Sequence, residues 1–386
     1  MDKRIAIINA KIFSEEKIID NGYIIVSNGI IEEISTGECL VEVDNKIDAK
    51  GKIIIPGFID VKVNGAGGFL VMERNENQIE RISKALALNG TTSYLAATSP
   101  CEDSEHIAYL NFIGEQMKKQ NNGARILGVH MEGPFLNPDK AGANDPEFVS
   151  SPDLDKFKKF CVSQKALKLM TVSPEIGDFT DIIAFAKSEN IVLSMGHTMA
   201  SYDDATKAIK QGITSGTHLF NAMNGIVGKD PGVIMAIADS NTATGTIICD
   251  GKHIHPSNIN LLFKVCGSQK LILITDSAPS AGTNLTEWFY REHKIYVKGY
   301  SCYTENGSLM GSSITLNKAA MLTKQFTNCS TEDVIKMGAM NPAKLLGIEK
   351  SKGSIKVGKD ADLVMIKDDI DFDVEMAMVE GKCITI

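Results

Sequence analysis

No apolar run in this chain approaches the roughly 20 residues that a membrane-spanning helix needs, and the N-terminus carries no apolar signal segment. No long basic stretch offsets the net charge of −8, which excludes nucleic acid and anionic membrane as principal partners. The eight cysteines, Cys39, Cys101, Cys161, Cys249, Cys266, Cys302, Cys329 and Cys383, include no C-x-x-C pair. Their scatter excludes a paired-cysteine metal or redox motif and reads as buried free thiols in a reducing compartment. Solenoid repeats and low-complexity tracts are also missing. These absences together lead to the expectation of a soluble cytoplasmic protein whose partner is a small molecule. Histidine is scarce as well, with seven in 386 residues, so where they fall carries information.

What is present is apolar patterning. At 43% hydrophobic content, 386 residues can bury a large core, enough for one barrel and a small accessory domain. Eight short apolar runs, at 58–63, 92–97, 125–132, 168–172, 191–195, 213–218, 245–250 and 271–276, are separated by helix-length segments. Continuous apolar strands in that arrangement are those of a parallel sheet covered on both faces. The pattern predicts an α/β chain folded as a (β/α)8 TIM barrel, in which chemistry gathers at the C-terminal strand ends. Glu132, His197, His218 and Asp276 fall at or just beyond such ends.

The two ends of the chain differ from the middle. Short β-rich runs at 4–9, 23–27 and 30–35 are punctuated by Asn21-Gly22 and Asn28-Gly29, both hairpin signals, and runs at 353–357, 362–366 and 375–379 resume that character. We therefore expect a small β-sandwich domain built from both termini, residues 1–55 and 353–386, with the barrel at 56–352 inserted between them and Pro56-Gly57 at the junction. Inside the barrel, Ser201 and Asp204 form a capping-box start, Ala205, Ala208 and Ile209 an apolar stripe, and Gly212 a stop. Strand, helix and strand thus fit between His197 and His218, so both imidazoles are expected in the same mouth. A second helix is expected over 76–89, closed by Gly90.

Five of the seven histidines, His130, His197, His218, His253 and His255, lie in or beside strand ends. Glu132, His197 and His218 offer three mixed N and O ligands and leave a fourth position for water, the arrangement of a catalytic divalent-metal site. We expect one such metal per chain, zinc first, with Fe2+, Co2+ or Mn2+ as alternatives. A buried Glu132 without a metal would need an Arg or Lys partner, and none is close in sequence. Asp276, closing the run Leu-Ile-Leu-Ile-Thr-Asp, is placed to exchange a proton with a metal-bound water, against the plainer reading of a helix N-cap. The turn from Asn221 to Gly225 could expose backbone N–H groups to a phosphate, with Lys229 and His253 as further anion contacts.

Seven stretches carry a wider resemblance. They are Pro-Gly-Phe-Ile-Asp at 56–60, His-Met-Glu-Gly-Pro-Phe-Leu-Asn-Pro at 130–138, Gly-His-Thr at 196–198, Thr-His-Leu-Phe-Asn-Ala-Met at 217–223, Asp-Gly-Lys-His at 250–253, Thr-Asp at 275–276 and Gly-Ser-Leu-Met-Gly-Ser-Ser at 307–313. Spread over nearly the whole chain, they resemble the N-acetylglucosamine-6-phosphate deacetylases of the amidohydrolase superfamily. The resemblance implies metal ligation by Glu132, His197 and His218, and general acid/base work by Asp276. It also implies substrate contacts from Asn221, Ala222, Lys229, His253 and the loop of Leu309, Met310 and Gly311, and a homodimer in which Lys229 reaches the partner's phosphate site.

Three positions depart from that pattern. The first strand reads Val61-Lys62-Val63-Asn64 where many amidohydrolases carry His-x-His for a second metal, so one metal is expected. Gly142-Ala143-Asn144 stands where a histidine usually contacts the substrate amide, which leaves Ala143 and Asn144 as the substrate contacts of that segment. Lys229 stands where Arg or His is common, and a lysine holds phosphate as a point charge rather than through two parallel bonds. Three alternatives stay open: the same hydrolysis on N-acetylgalactosamine 6-phosphate, a weakly active paralogue that binds sugar phosphate as a sensor, and a cyclic-amide hydrolase. The last normally needs the two-metal site that this first strand cannot build.

Overall fold

The structure, a computed structural model, describes residues 4–119, 122–142 and 144–385. The chain opens with β1 (Arg4–Phe13), β2 (Ile18–Ser27), β3 (Ile30–Thr36), β4 (Asn45–Asp48) and β5 (Ile53–Pro56). The first barrel strand, β6 (Phe58–Val63), is followed by a two-stranded ribbon of β7 (Gly65–Ala66) and β8 (Phe69–Leu70). The remaining barrel strands are β9 (Thr91–Thr98), β10 (Arg125–Glu132), β11 (Leu167–Val172), β12 (Val192–Met195), β13 (Ser215–Gly216), β14 (Thr244–Ile248) and β15 (Leu271–Ile274). They pair in parallel, in sequence order, from β6 to β15. A bridge between Val63 and Ser277 brings the two edges together. Every residue of β6 and β9 is buried, as expected of strands covered on both faces.

Eight helices alternate with these strands: α1 (Glu76–Leu88), α2 (Asp103–Lys118), α3 (Leu154–Val162), α4 (Thr180–Ser188), α5 (Tyr202–Gln211), α6 (Gly232–Asp239), α7 (Pro256–Cys266) and α8 (Leu316–Thr327). The capping box of Ser201 and Asp204 starts α5, and Gly212, at φ 127°, stops it. Helix α1 starts at an Asn75 cap, buries Ile79, Ile82 and Leu86, and is followed by Gly90 at φ 85°. Helix and strand faces merge in one core that runs from Phe58 and Tyr94 through Phe157 and Phe160 to Leu273 and Leu316.

Between β15 and α8 the chain makes an antiparallel excursion, β16 (Glu287–Tyr290), β17 (His293–Lys298), β18 (Ser301–Thr304) and β19 (Leu309–Ser312), which the sequence reading did not foresee. It returns against its own point of departure, because Ser312 N–H donates to Asp276 C=O at 3.0 Å and Ala278 N–H to Ser312 C=O at 2.7 Å.

The last strands, β20 (Leu363–Ile366), β21 (Val374–Val379) and β22 (Lys382–Ile384), join the first five in one eight-stranded sheet. Its order is β22-β21-β20-β5-β1-β2-β3, with β4 also on β1. Asn28-Gly29 makes the expected tight turn, at φ 52° and 81°. Asn21-Gly22 does not: it lies inside β2, with Asn21 at φ 51° and Gly22 opposite Ala10 between two register shifts, so its left-handed residue serves a bulge. The run at 353–357 is no strand. Ile355 makes a single bridge to Ser14, and Lys356 and Lys359 reach Glu15 instead, each at 2.8 Å.

Candidate active site

Glu132 is the last residue of β10, while His197, His218 and Asp276 each lie two residues past β12, β13 and β15. The expected runs at 213–218 and 271–276 therefore end as strands before the residues that close them, His218 and Asp276. The backbone explains this: His197, His218 and Asp276 sit at φ 50°, 32° and 49°, in the left-handed region that breaks the ladder. Gly196 makes room for the turn at His197, since a Cβ there would lie 2.7 Å from Thr171 Cγ2 and 2.9 Å from Thr217 Cβ.

The result is a buried cluster in which ligand atoms of Glu132, His197 and His218 lie within 4.8 Å of one another. His197 Nε2 is 3.1 Å from Glu132 Oε1 and His218 Nε2 is 3.3 Å from Glu132 Oε2. His197 Nδ1 lies 2.8 Å from Lys140 C=O, which only accepts, so the proton belongs on Nδ1. In the neutral ring Nε2 turns a lone pair towards a carboxylate oxygen and has no hydrogen-bond partner among the described residues, while Glu132 outweighs burial and raises the His197 pKa, the pull of an anion that a bound metal would answer instead. Two acceptors face to face call for a cation between them, and a divalent metal fits. Burial lowers the His218 pKa and keeps that ring neutral, the form that ligates.

The cation that the sequence reading did not find for Glu132 is Lys62. From β6 its ammonium donates to Asp276 Oδ1 at 2.9 Å and lies 2.6 Å from Glu132 Oε2. Asn64 Nδ2 donates to the same Asp276 Oδ1 at 2.7 Å, and Asn144 Nδ2 to Glu132 Oε1 at 3.0 Å. Burial opposes the charge on Lys62, but Asp276 and Glu132 outweigh it and hold the ammonium above the ordinary lysine range. Burial likewise opposes both carboxylates. Lys62 holds Glu132 well below its usual value and keeps Asp276 below its own. Counting Glu132, Asp276 and Lys62, the cluster carries one net negative charge. One dication would take it to +1 and two to +3, so the charge count favours one.

Around the cluster opens a cavity of about 700 Å³. Its lining includes Asn144, Asn221, Ala222, His253, Leu309, Met310 and Gly311, each anticipated from the sequence. His253 is aimed by Asp250, whose Oδ2 meets Nδ1 at 2.7 Å and also accepts from Ser301 of β18 at 2.5 Å. The Asn221 N–H is already donated to His218 C=O at 2.9 Å, which leaves that turn fewer groups for an anion than expected. Lys229 is exposed and does not line the cavity of its own chain, and Ala143 lies outside the described residues.

Two of the strand-end histidines have structural roles. His130 bonds Val61 C=O and Thr171 Oγ1, each at 2.8 Å, and burial with the nearby Lys62 lowers its pKa to about 3. His255 caps α7 by accepting from Ser257 N–H. Sequence reasoning missed the outer wall, where Trp288, Tyr290, Arg291 and His293 line the cavity. The Asn306-Gly307 dipeptide between β18 and β19 was the available hairpin signal.

Comparison with known proteins agrees with this geometry. Residues 53–384 match the amidohydrolase family. The chain is 36% identical over 377 residues to an N-acetylglucosamine-6-phosphate deacetylase of Bacillus subtilis, covering 96% of this chain and 94% of that one. It is 26% identical over 373 residues to an N-acetylgalactosamine-6-phosphate deacetylase of Escherichia coli O157:H7, covering 96% and 97%. Among solved structures, the N-acetylglucosamine-6-phosphate deacetylase of Pasteurella multocida superposes with a TM-score of 0.92 at 31% identity, over 98% of this chain and 99% of that one.

Proposed function

The chain belongs to the amidohydrolase family, and from that premise we propose a deacetylase in which Glu132, His197 and His218 hold one divalent metal while Asp276 moves the proton. It hydrolyses the acetamido bond of N-acetylglucosamine 6-phosphate, giving glucosamine 6-phosphate and acetate. The observation that carries this reading is the buried Glu-His-His cluster beside a charged Asp276, in a chain similar to such deacetylases over nearly its full length.

When bound, the metal polarises the acetyl carbonyl and lowers the pKa of an adjacent water. Asp276 accepts a proton from the attacking water as its oxygen bonds to the acetyl carbon. The same carboxyl then gives that proton to the departing nitrogen as the C–N bond breaks. His253, aimed by Asp250, and Asn144 are the side chains available to meet the acetyl oxygen as charge builds on it. The turn at Asn221 and Ala222 faces the phosphate, the loop of Leu309, Met310 and Gly311 covers the sugar, and Lys229 serves the partner subunit's site in a homodimer. Zinc suits a mixed imidazole and carboxylate site of this kind. No helix among the described residues is long and apolar enough to cross a membrane, and the substrate chemistry fits a cytoplasmic enzyme.

The test is acetate release at measured metal content from N-acetylglucosamine 6-phosphate, its unphosphorylated form and N-acetylgalactosamine 6-phosphate. The first is expected to be the best substrate. Absence of acetate from every phosphorylated amino sugar at one metal per chain would overturn the reading.

A further inference from the structure

The mouth of the barrel holds a buried lysine where hydrolytic chemistry needs only ligands and a base. Strand β6 is irregular between Asp60 and Val63, and within that stretch Lys62 sends its ammonium into the cluster. Lys62 touches two carboxylates of different roles at once: Oε2 of Glu132, which ligates, and Oδ1 of Asp276, which moves the proton. Asn64, two residues on, donates to the same Oδ1. An sp² oxygen has two lone-pair directions, and both are taken here. No described residue donates to the other oxygen, Oδ2. A carboxylate free to rotate about Cβ–Cγ would offer either oxygen in turn, whereas two donors on one oxygen, one of them charged, fix which oxygen faces the cavity.

We propose that Lys62 is a positioning residue that does for Asp276 what a second metal ion would do, tying it to Glu132 and reserving Oδ1 so that Oδ2 alone receives the proton. The inference rests on the acid/base role given to Asp276 above. Lys62 and Asn64 thereby form a tethered cation and its helper beside Glu132 and Asp276, where a second dication would meet a charged lysine. That dication would bring the cluster's charge to +3 with the lysine in place.

Two variants test this. Lys62→Met, loaded to one metal per chain, is expected to lose about 10- to 100-fold in kcat while KM stays within about threefold, because orientation matters most in the transition state. Lys62→His combined with Asn64→His is expected to raise bound metal, measured per chain, from near one to near two. Wild-type kcat in Lys62→Met, or a double variant that still binds one ion, would overturn the proposal. If Lys62→Met does not fold, Lys62→Gln is held to the same outcomes. Asp276→Asn is assayed alongside: wild-type turnover there would show the acid/base reading of Asp276 to be at fault, whereas the metal count of the double variant reports on Lys62 independently.

Discussion

Replacing Asp276 by asparagine changes one atom and separates proton transfer from everything else the site does. The asparagine Oδ1 can keep the bonds from Lys62 and Asn64, now at 2.9 and 2.7 Å, while an NH2 group takes the place of Oδ2. An amide cannot accept the water's proton, so the loss is that of a general base, about 10²- to 10⁴-fold in kcat. At 1.36 kcal/mol per decade that is roughly 3 to 5.5 kcal/mol of barrier. Glu132, His197 and His218 are untouched, so metal still binds. It should bind more weakly, however, because the cluster loses a negative charge and Lys62 is left with Glu132 alone as counterion. Acetate release should therefore be measured with metal at saturation, with metal per chain and substrate affinity determined on the same preparation. Turnover above a tenth of wild type, with one metal bound, would mean that another group takes the proton.

His197→Ala or His218→Ala should lose metal and activity together while circular dichroism and thermal unfolding show an intact barrel, since neither ring belongs to the packed core; a fully metallated, active variant would contradict the ligand assignment. Gly196→Ala should drive a methyl group between Thr171 and Thr217, costing about 1–3 kcal/mol and tilting His197. A lowered Tm with faster metal loss to a chelator is expected, and wild-type values for both would refute it. Glu15, whose carboxyl is held at about 2 against the opposing effect of burial by Lys356, Lys359 and Ser354, should stabilise the fold by roughly 1 kcal/mol after allowance for solvent screening. Because its pKa is depressed, that contribution is complete above the unfolded value of about 4.3 and disappears as pH falls through about 2. The stability gap between wild type and Glu15→Gln, measured by denaturant unfolding, should be constant from pH 7 to 5 and narrow by pH 3. A gap that does not change with pH would exclude the charge as its cause.

The barrel was legible because its strands are buried on both faces, which writes them as unbroken apolar runs: 58–63 and 125–132 coincide with β6 and β10. The run at 213–218 was read as six residues and survives as two, because Thr217 and His218 stay buried after the ladder has ended at Gly216 and the backbone turns left-handed at His218. Periodicity records burial, and here burial outlasts the ladder. Strands β16 to β19 escaped notice because the excursion leaves Phe289 and Tyr296 exposed, which blurs the alternation that marks a one-sided sheet. Glu132, His197, His218 and Asp276 could be found by residue type and strand-end position. The bond between Lys62 and Asp276 could not, since it joins residues 214 apart and no local pattern encodes it.

The pairing of β5 with β20 joins a strand made early to one made late. During synthesis the chain emerges N-terminus first at about 5–20 residues per second, so β5 waits on the order of tens of seconds for its neighbour. In that interval an inner strand of the finished sheet is an edge, with apolar Ile53, Ile54 and Ile55 beside unpaired backbone groups. Such an edge invites pairing with other chains. Removing the segment from Leu363 to Ile384 would make this condition permanent, so the solubility of the N-terminal strands is set at the opposite end of the chain.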